Sequence, residues 1–277
     1  NNGSNDACGI ASLVLSQTDF DCSHVGTNTV TLTVTDLGGN VSTGTAVVTI
    51  FDTIKPTVIT KNISVYLSST GTASILGTQI NNGSLDACGI ATYSASPSTF
   101  TCSNTGANTV VLTVTDVNGN FRTANATVTV IDTVRPNVIT KNINAYLGSN
   151  GTITVLGSQV DNGSSDSCGI ASYAVSPNTF TCSNLGANTV TLTVEDVNGN
   201  SSSKTATVTV EDKIAPVISV NENFTAQLDA SGNAVITAAQ INNATTDNCD
   251  AASSMTFALN KTTFDCSNIG HNVVTLT

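Results

Sequence analysis

Thr109-Val110-Val111-Leu112-Thr113-Val114-Thr115 runs into Asp116-Val117-Asn118-Gly119-Asn120 and then, after a few residues, into Ala126-Thr127-Val128-Thr129-Val130. Val110, Leu112 and Val114 fall on one face of the first segment, and mostly Thr falls on the other. The second segment repeats that alternation. A period of two in residues that favour extended backbone predicts half-buried antiparallel strands joined by an Asn/Gly turn. The outer face is hydroxylated and not greasy. The same reading places earlier strands at 58–61, 63–67, 72–76 and 90–95.

These phrases recur. Cys-Gly-Ile begins at Cys8, Cys88 and Cys168, and Pro56, Pro136 and Pro216 keep the same interval of 80. Segments 53–132 and 133–212 align without a gap, with 52 of 80 positions identical. A solenoid unit of 20–50 residues cannot close its own core, whereas 80 residues make a small autonomous domain. The expected organisation is a partial repeat 1–52, full repeats 53–132 and 133–212, and a divergent partial repeat 213–277. About seven short strands per repeat, separated by Gly and Asn turns, predict an all-β chain of tandem immunoglobulin-like β-sandwich domains. The Trp and central disulfide of antibody domains are missing. Short joints such as Val130 to Pro136 leave little slack, so an extended rod is expected, each bead adding roughly 35–40 Å.

Composition narrows the function. The 277 residues include 8 basic and 19 acidic ones, a net charge of −11, and only 10% are charged. Such a chain is repelled by nucleic acid and anionic lipid. No apolar run approaches the roughly 20 residues needed to span a bilayer, so no membrane insertion is expected in this segment. Trp is absent, and Ser, Thr and Asn make up more than a third of the chain. There is no initiator Met or signal-like segment, and both ends are interior phrases of the repeat, so an excised or mature piece is expected.

Eight cysteines fall as four local pairs, one per repeat: Cys8/Cys22, Cys88/Cys102, Cys168/Cys182 and Cys249/Cys266. With a turn at Ser96-Pro97-Ser98-Thr99, Cys88 and Cys102 are expected to meet across the open end of a hairpin. Four intradomain disulfides follow, each closing a loop worth roughly 3 kcal/mol. Zinc is the rival, but two cysteines without a regularly placed His or second pair do not complete a tetrahedral site. Disulfides imply an oxidising, extracytoplasmic compartment.

Three sets of loop residues are candidate sites. Asp116, Asn118 and Asn120, repeated as Asp196, Asn198 and Asn200, offer oxygens at alternate positions that suit calcium. A hairpin turn in which Asn and Gly take positive φ is the competing reading. Asp86 and Asp166, each two residues before a cysteine, are expected at one end of the sandwich beside a junction Asp. Calcium could stiffen the joint there, or the side chain simply caps its own loop. No cofactor is required. Catalysis finds no constellation: His24 aligns with Asn104 and Asn184, His271 with Ala107 and Ala187, and no nucleophile–base set repeats.

Asp86-Ala87-Cys88-Gly89, Gly106-Ala107-Asn108-Thr109-Val110, Thr115-Asp116-Val117-Asn118-Gly119-Asn120 and the junction Asp132-Thr133-Val134-Arg135-Pro136 together resemble the hyalin repeat (HYR). One departure is that Val138-Ile139-Thr140-Lys141 lacks the Cys that such repeats often carry after this Pro, so the usual pairing does not transfer. Long Thr/Asn-rich arrays of this kind resemble giant surface adhesins of Bacteroidota that serve gliding motility. The resemblance implies type IX secretion, an outer-membrane-associated location on the cell surface, and a secreted, non-catalytic filament that bears load during attachment and gliding. Its implied partners are an extracellular surface or polysaccharide, the motility or secretion machinery, and neighbouring repeats. Asp52-Thr53-Ile54 and Asp132-Thr133-Val134 resemble the Asp-Thr-aliphatic acceptor of O-glycosylation in that phylum, with Thr53 and Thr133 as the sugar-bearing residues. The alternatives are a passive structural spacer and an accessory array of a secreted hydrolase.

Overall fold

The structure is a computed structural model that describes residues 1–251 and 253–277. It divides into two compact units, Asn1–Val134 and Arg135–Thr277. Each holds two successive repeats.

In the first unit, β1 (Ile10–Leu15), β2 (Gly26–Asp36) and β3 (Val41–Ile50) form a three-stranded antiparallel sheet. The next repeat contributes β4 (Ile63–Tyr66), β5 (Thr72–Ser74), a one-turn helix α1 (Gly77–Ile80), β6 (Ile90–Ser96), β7 (Thr99–Thr101), β8 (Gly106–Asp116) and β9 (Phe121–Ile131). One layer is the sheet β4-β9-β8-β6, and β5 pairs with β7 in a separate sheet. β4 runs parallel to β9, while β8 is antiparallel to both β9 and β6. The alternation read in the sequence decides which face is inside. Val110, Leu112, Val114, Val128 and Val130 are buried, and so are Phe100, Ile80, Ile75 and Leu67. Sandwich packing follows because neither apolar face can be left to water.

The second unit repeats the plan with β10 (Ile143–Tyr146), β11 (Thr152–Thr154), α2 (Gly157–Val160), β12 (Ile170–Ser176), β13 (Thr179–Thr181), β14 (Gly186–Asp196) and β15 (Ser201–Glu211). Its sheets are β10-β15-β14-β12 and β11-β13. Phe180, Val160, Val190, Leu192, Val194 and Val208 form the centre of its core. Beyond it, β16 (Asn233–Val235), α3 (Ala238–Ile241) and β17 (Thr263–Asp265) belong to the fourth repeat, whose smaller core is built on Ile236, Ile241 and Leu276. These are tandem β-sandwich repeats, as the alternation predicted.

Three details differ from the sequence reading. The expected strand at 58–61 is reduced to isolated bridges, Thr57 with Leu85 and Thr60 with Asn81. Residues 77–80, to which the sequence reading assigned no element, form a one-turn helix after the expected strand 72–76. Most consequentially, β6 and β7 are not a hairpin. β6 pairs with β8, whereas β7 crosses to the other layer and pairs with β5.

Candidate inter-repeat joints

That crossing separates Cys88 from Cys102 and overturns the pairing expected from the sequence. Cys88 lies just before β6 and Cys102 follows β7, so the two belong to different layers of the sandwich. Cys22 bonds Cys88, with Cα atoms 5.1 Å apart across 66 residues of chain. Cys182 bonds Cys249, with Cα atoms 5.3 Å apart across 67 residues. Cys102 and Cys168 are also disulfide-bonded, while Cys8 and Cys266 are free and exposed. The expected pairs Cys8/Cys22, Cys88/Cys102, Cys168/Cys182 and Cys249/Cys266 are therefore replaced. Cys22–Cys88 and Cys182–Cys249 each run from one repeat to the next.

Each joint is built from two short loops. The donor cysteine opens a 3-10 turn, at Cys22–His24 and again at Cys182–Asn184. Asn184 Oδ1 accepts from Thr181 N at 2.9 Å, which closes that turn. His24 does the same work where the other repeats have Asn: its Nδ1 lies 3.1 Å from Asp21 N and 2.7 Å from Asp21 Oδ1. Asp21 is held below the usual carboxylate range by the Ser23 hydroxyl and backbone N–H, and then by His24. His24 is thus a turn-closing residue.

The acceptor cysteine sits in a loop fixed by the Asp two residues before it. Asp86 Oδ1 accepts from Cys88 N at 2.8 Å, Asp166 Oδ1 from Cys168 N at 2.8 Å, and Asp247 Oδ1 from Cys249 N at 2.9 Å. A short acidic side chain that bonds the backbone two residues on makes an Asx turn. This matches the loop-capping reading of Asp86 and Asp166.

In the first unit the segment connecting β3 to β4 adds a third element. Asp52 Oδ1 accepts from Ile54 N at 3.0 Å, and the Asp52 carbonyl accepts from Asn120 Nδ2 at 3.2 Å. Asp52 Oδ2 is buried and has no hydrogen-bond partner. One oxygen each of Asp52 and Asp86, together with Cys88 Sγ, lie within 4.8 Å of one another. Because Cys88 is oxidised it brings no thiolate, so the cluster amounts to two carboxylates. In the second unit Asn248 occupies the space beside the junction carboxylate, and its Nδ2 donates to Asp212 Oδ1 at 3.1 Å and to the Gly148 carbonyl at 3.3 Å.

The hairpin loops treat their Asp differently from the joint. Asp116 is 1% exposed, and its Oδ1 accepts from Asn118 N at 2.9 Å and Asn120 N at 2.8 Å. Its Oδ2 accepts from Asn120 Nδ2 at 2.8 Å. Asp196 repeats these contacts with Asn198 and Asn200. Burial pushes the Asp116 carboxyl up, but the hydrogen bonds from Asn120, Asn118 and Gly119 outweigh it and the net shift is downward. Both oxygens thus serve the turn, with Gly119 at φ +94° completing it. The turn reading accounts for Asp116, Asn118, Asn120, Asp196, Asn198 and Asn200, and the calcium expected there is not supported by this geometry. Thr53 and Thr133 are exposed on their connecting segments. The inter-repeat bonds had one sequence signal: the interval from Cys22 to Cys88 recurs from Cys102 to Cys168.

No protein-family profile matches the chain, and no curated protein does. Among solved structures it is similar to the extracellular cadherin domains 1–4 of protocadherin gamma B7, at 14% identity and a TM-score of 0.37, covering 93% of this chain and 78% of that one. A three-domain immunoglobulin segment of titin matches at 8% identity and a TM-score of 0.33, with 67% and 75% covered. An endo-fucoidan hydrolase of glycoside hydrolase family 107 matches at 14% identity and a TM-score of 0.23, with 75% and 40% covered. Scores this low assign no function.

Proposed function

We propose that the chain is a segment of an extracellular, non-catalytic repeat array that carries tension, with the repeats projecting an adhesive surface away from the cell. The observation that carries this reading is covalent continuity between successive repeats, through Cys22–Cys88 in one unit and Cys182–Cys249 in the other. A disulfide inside a repeat would protect only that repeat. A bond that skips from one repeat to the next shunts force around the second half of one sandwich, the connecting segment and the first half of the next. Such bonds persist in an oxidising compartment, which supports an extracellular location. The exposed strand positions are largely Thr, which suits many weak contacts acting together.

The finer reading is a cell-surface adhesin filament of gliding bacteria, resting on the likeness of the repeat phrases to the hyalin repeat and to the Bacteroidota adhesins. Export by type IX secretion, O-linked sugar at the exposed Thr53 and Thr133, and the repeats' arrangement as a rod with domain boundaries at 52/53, 132/133 and 212/213 belong to the same proposal. A second reading for the first unit's joint is a weakly held calcium ion, favoured by the buried, unpaired Asp52 Oδ2 beside Asp86.

Single-molecule pulling tests the load-bearing role. Each bond hides a loop of 66 or 67 residues, so reduction is expected to release roughly 230 Å of additional contour per bond at about 3.5 Å per residue. Equal unfolding contours before and after reduction would overturn the reading. Adsorption of the oxidised chain to glass or polysaccharide separates an adhesive array from a passive spacer, which shows none.

A further inference from the structure

The two full repeats contain five Asn-Gly pairs, at 82–83, 118–119, 150–151, 162–163 and 198–199. In such a pair the backbone nitrogen of the glycine can attack the side-chain amide of the asparagine, because no Cβ stands in the way. Whether it does so depends on what holds that nitrogen. Gly119 N and Gly199 N donate to the carbonyls of Asp116 and Asp196 at 3.4 and 3.2 Å, and Gly151 N donates to the Gly148 carbonyl at 2.8 Å. These three are tied into their turns.

The pairs 82–83 and 162–163 stand at the same place in successive repeats, and their loops are built alike. Asn82 N donates to the Ile59 carbonyl and Asn162 N to the Ile139 carbonyl, each at 2.8 Å. Ser84 N donates to Asn81 Oδ1 and Ser164 N to Asp161 Oδ1, each at 3.0 Å. Ser84 Oγ and Ser164 Oγ accept from Ile59 N and Ile139 N, each at 2.9 Å. Gly83 and Gly163 have φ +83° and +88°, and both pairs are exposed. One bond differs. Asp161 has a second carboxylate oxygen, Oδ2, which accepts from Gly163 N at 3.1 Å. Asn81 carries an NH2 group instead, which cannot accept, and Gly83 N has no hydrogen-bond partner among the described residues.

We propose that Asn82 is a site of spontaneous deamidation, and that Asp161 protects Asn162 from the same reaction. Gly83 N bonds to Asn82 Cγ and closes a succinimide ring, and Asn82 Nδ2 leaves as ammonia with the amide proton of Gly83. Water then adds to one of the two imide carbonyls and opens the ring to aspartate or isoaspartate. One water is consumed, one ammonia is released, and nothing is oxidised or reduced. At Asn162 the carboxylate holds the Gly163 N–H in place and opposes the negative charge that the nitrogen gains as it gives up its proton. Burial pushes the Asp161 carboxyl up, but hydrogen bonds from Ser164 and Gly163 and the charge of Lys141 outweigh it, so the carboxyl lies below its ordinary value and is ionised near neutral pH. The inference does not depend on the load-bearing reading.

The test incubates the full chain, with its disulfides intact, at mildly alkaline pH and follows the peptides containing Asn82 and Asn162 by mass spectrometry. An isoaspartate-specific carboxyl methyltransferase identifies the rearranged product. Asn82 is expected to convert about tenfold faster than Asn162, the rate equivalent of one hydrogen bond to a charged acceptor. Two single exchanges should move the lability. Asn81→Asp is expected to slow Asn82 by about the same factor, and Asp161→Asn to bring Asn162 up to the Asn82 rate. Both keep the side-chain oxygen that accepts from the serine N–H, and circular dichroism checks that they fold. Equal rates at the two sites, no conversion at Asn82, or rates that do not move in the folded variants would overturn the proposal. Faster conversion at Asn162 would overturn it in the opposite sense, with Asp161 acting as a base on Gly163 N.

Discussion

The carbonyl oxygen of Asn248 lies 2.8 Å from the point where a Cβ on Gly151 would stand, so the loop carrying Cys249 docks directly on bare backbone. Gly151→Ala is expected to cost about 1–2 kcal/mol from the left-handed backbone alone. The steric conflict with Asn248 adds to that and acts on the joint, because Asn248 precedes Cys249. The measurable result is a lower melting temperature and a fraction of chains with Cys182 and Cys249 reactive to an alkylating reagent. Glycine-like behaviour of the alanine variant in both assays would show that the loop does not dock as described.

Thiol counting separates the two possible cysteine connectivities without any variant. In-repeat pairing would leave no free thiol in the native chain. The inter-repeat pairing leaves two, at Cys8 and Cys266. Alkylation of the non-reduced protein is expected to label those two positions and no others. Cys249→Ser is then expected to add Cys182 as a further reactive thiol and to lower stability by about 4 kcal/mol, the chain-entropy value for a loop of this length. Urea unfolding of the second unit reads that loss.

Acid should act through the capping carboxylates. The hydrogen bonds from Asn120, Asn118 and Gly119 overcome the upward push of burial and hold Asp116 below its ordinary value. Asp36 is also lowered, chiefly by the Asn40 side chain, and Asp247 by the backbone N–H groups of Cys249 and Asp250. A carboxylate whose folded pKa is depressed contributes stability that is fully present above its unfolded value, about 3.9, and is lost as pH falls through the folded value. Melting temperature is therefore expected to hold from neutral pH to about 4 and to fall below it. Asp116→Asn should flatten part of that acid limb while lowering stability at pH 7. An unchanged acid limb would show that the carboxylate charge does not matter to the turn.

The repeat and its strands are legible because alternation of Val and Thr over ten residues has one physical solution, a strand buried on one face. Val110, Leu112 and Val114 are buried as that pattern requires. The cysteine connectivity is not legible in the same way. Every repeat carries one cysteine of each type, so pairing within repeats and pairing between them have the same composition and the same period. What decides between them is that β6 and β7 lie in different layers, and this depends on β7 finding β5, a long-range contact of three residues a side. The helical turn 77–80 is hidden for a related reason: Gly-Thr-Gln-Ile is too short to show a period. Its only local mark is Gln79, whose side-chain oxygen accepts from Leu76 N at 2.7 Å.

The last prediction concerns the buried oxygen of Asp52. Asp52 Oδ2 has no hydrogen-bond partner, and a buried acceptor left unpaired costs about 1–3 kcal/mol, more when charged. Asp86 lies beside it, so a second negative charge raises that cost. A calcium ion would relieve both, and with so few carboxylates its affinity would fall in the range of extracellular modules, about 10⁻⁴–10⁻³ M. At 10 mM calcium, mass action then stabilises the folded joint by roughly 1.4–2.7 kcal/mol. The wild-type melting temperature is expected to rise with calcium and return with a chelator. Asp52→Asn should abolish that response, and in the absence of calcium it should match or exceed wild type, since the amide removes the charge repulsion. A calcium response that survives in Asp52→Asn would place the ion elsewhere. No response in wild type, together with a more stable Asp52→Asn, would show that the carboxylate pair is an uncompensated strain in the joint.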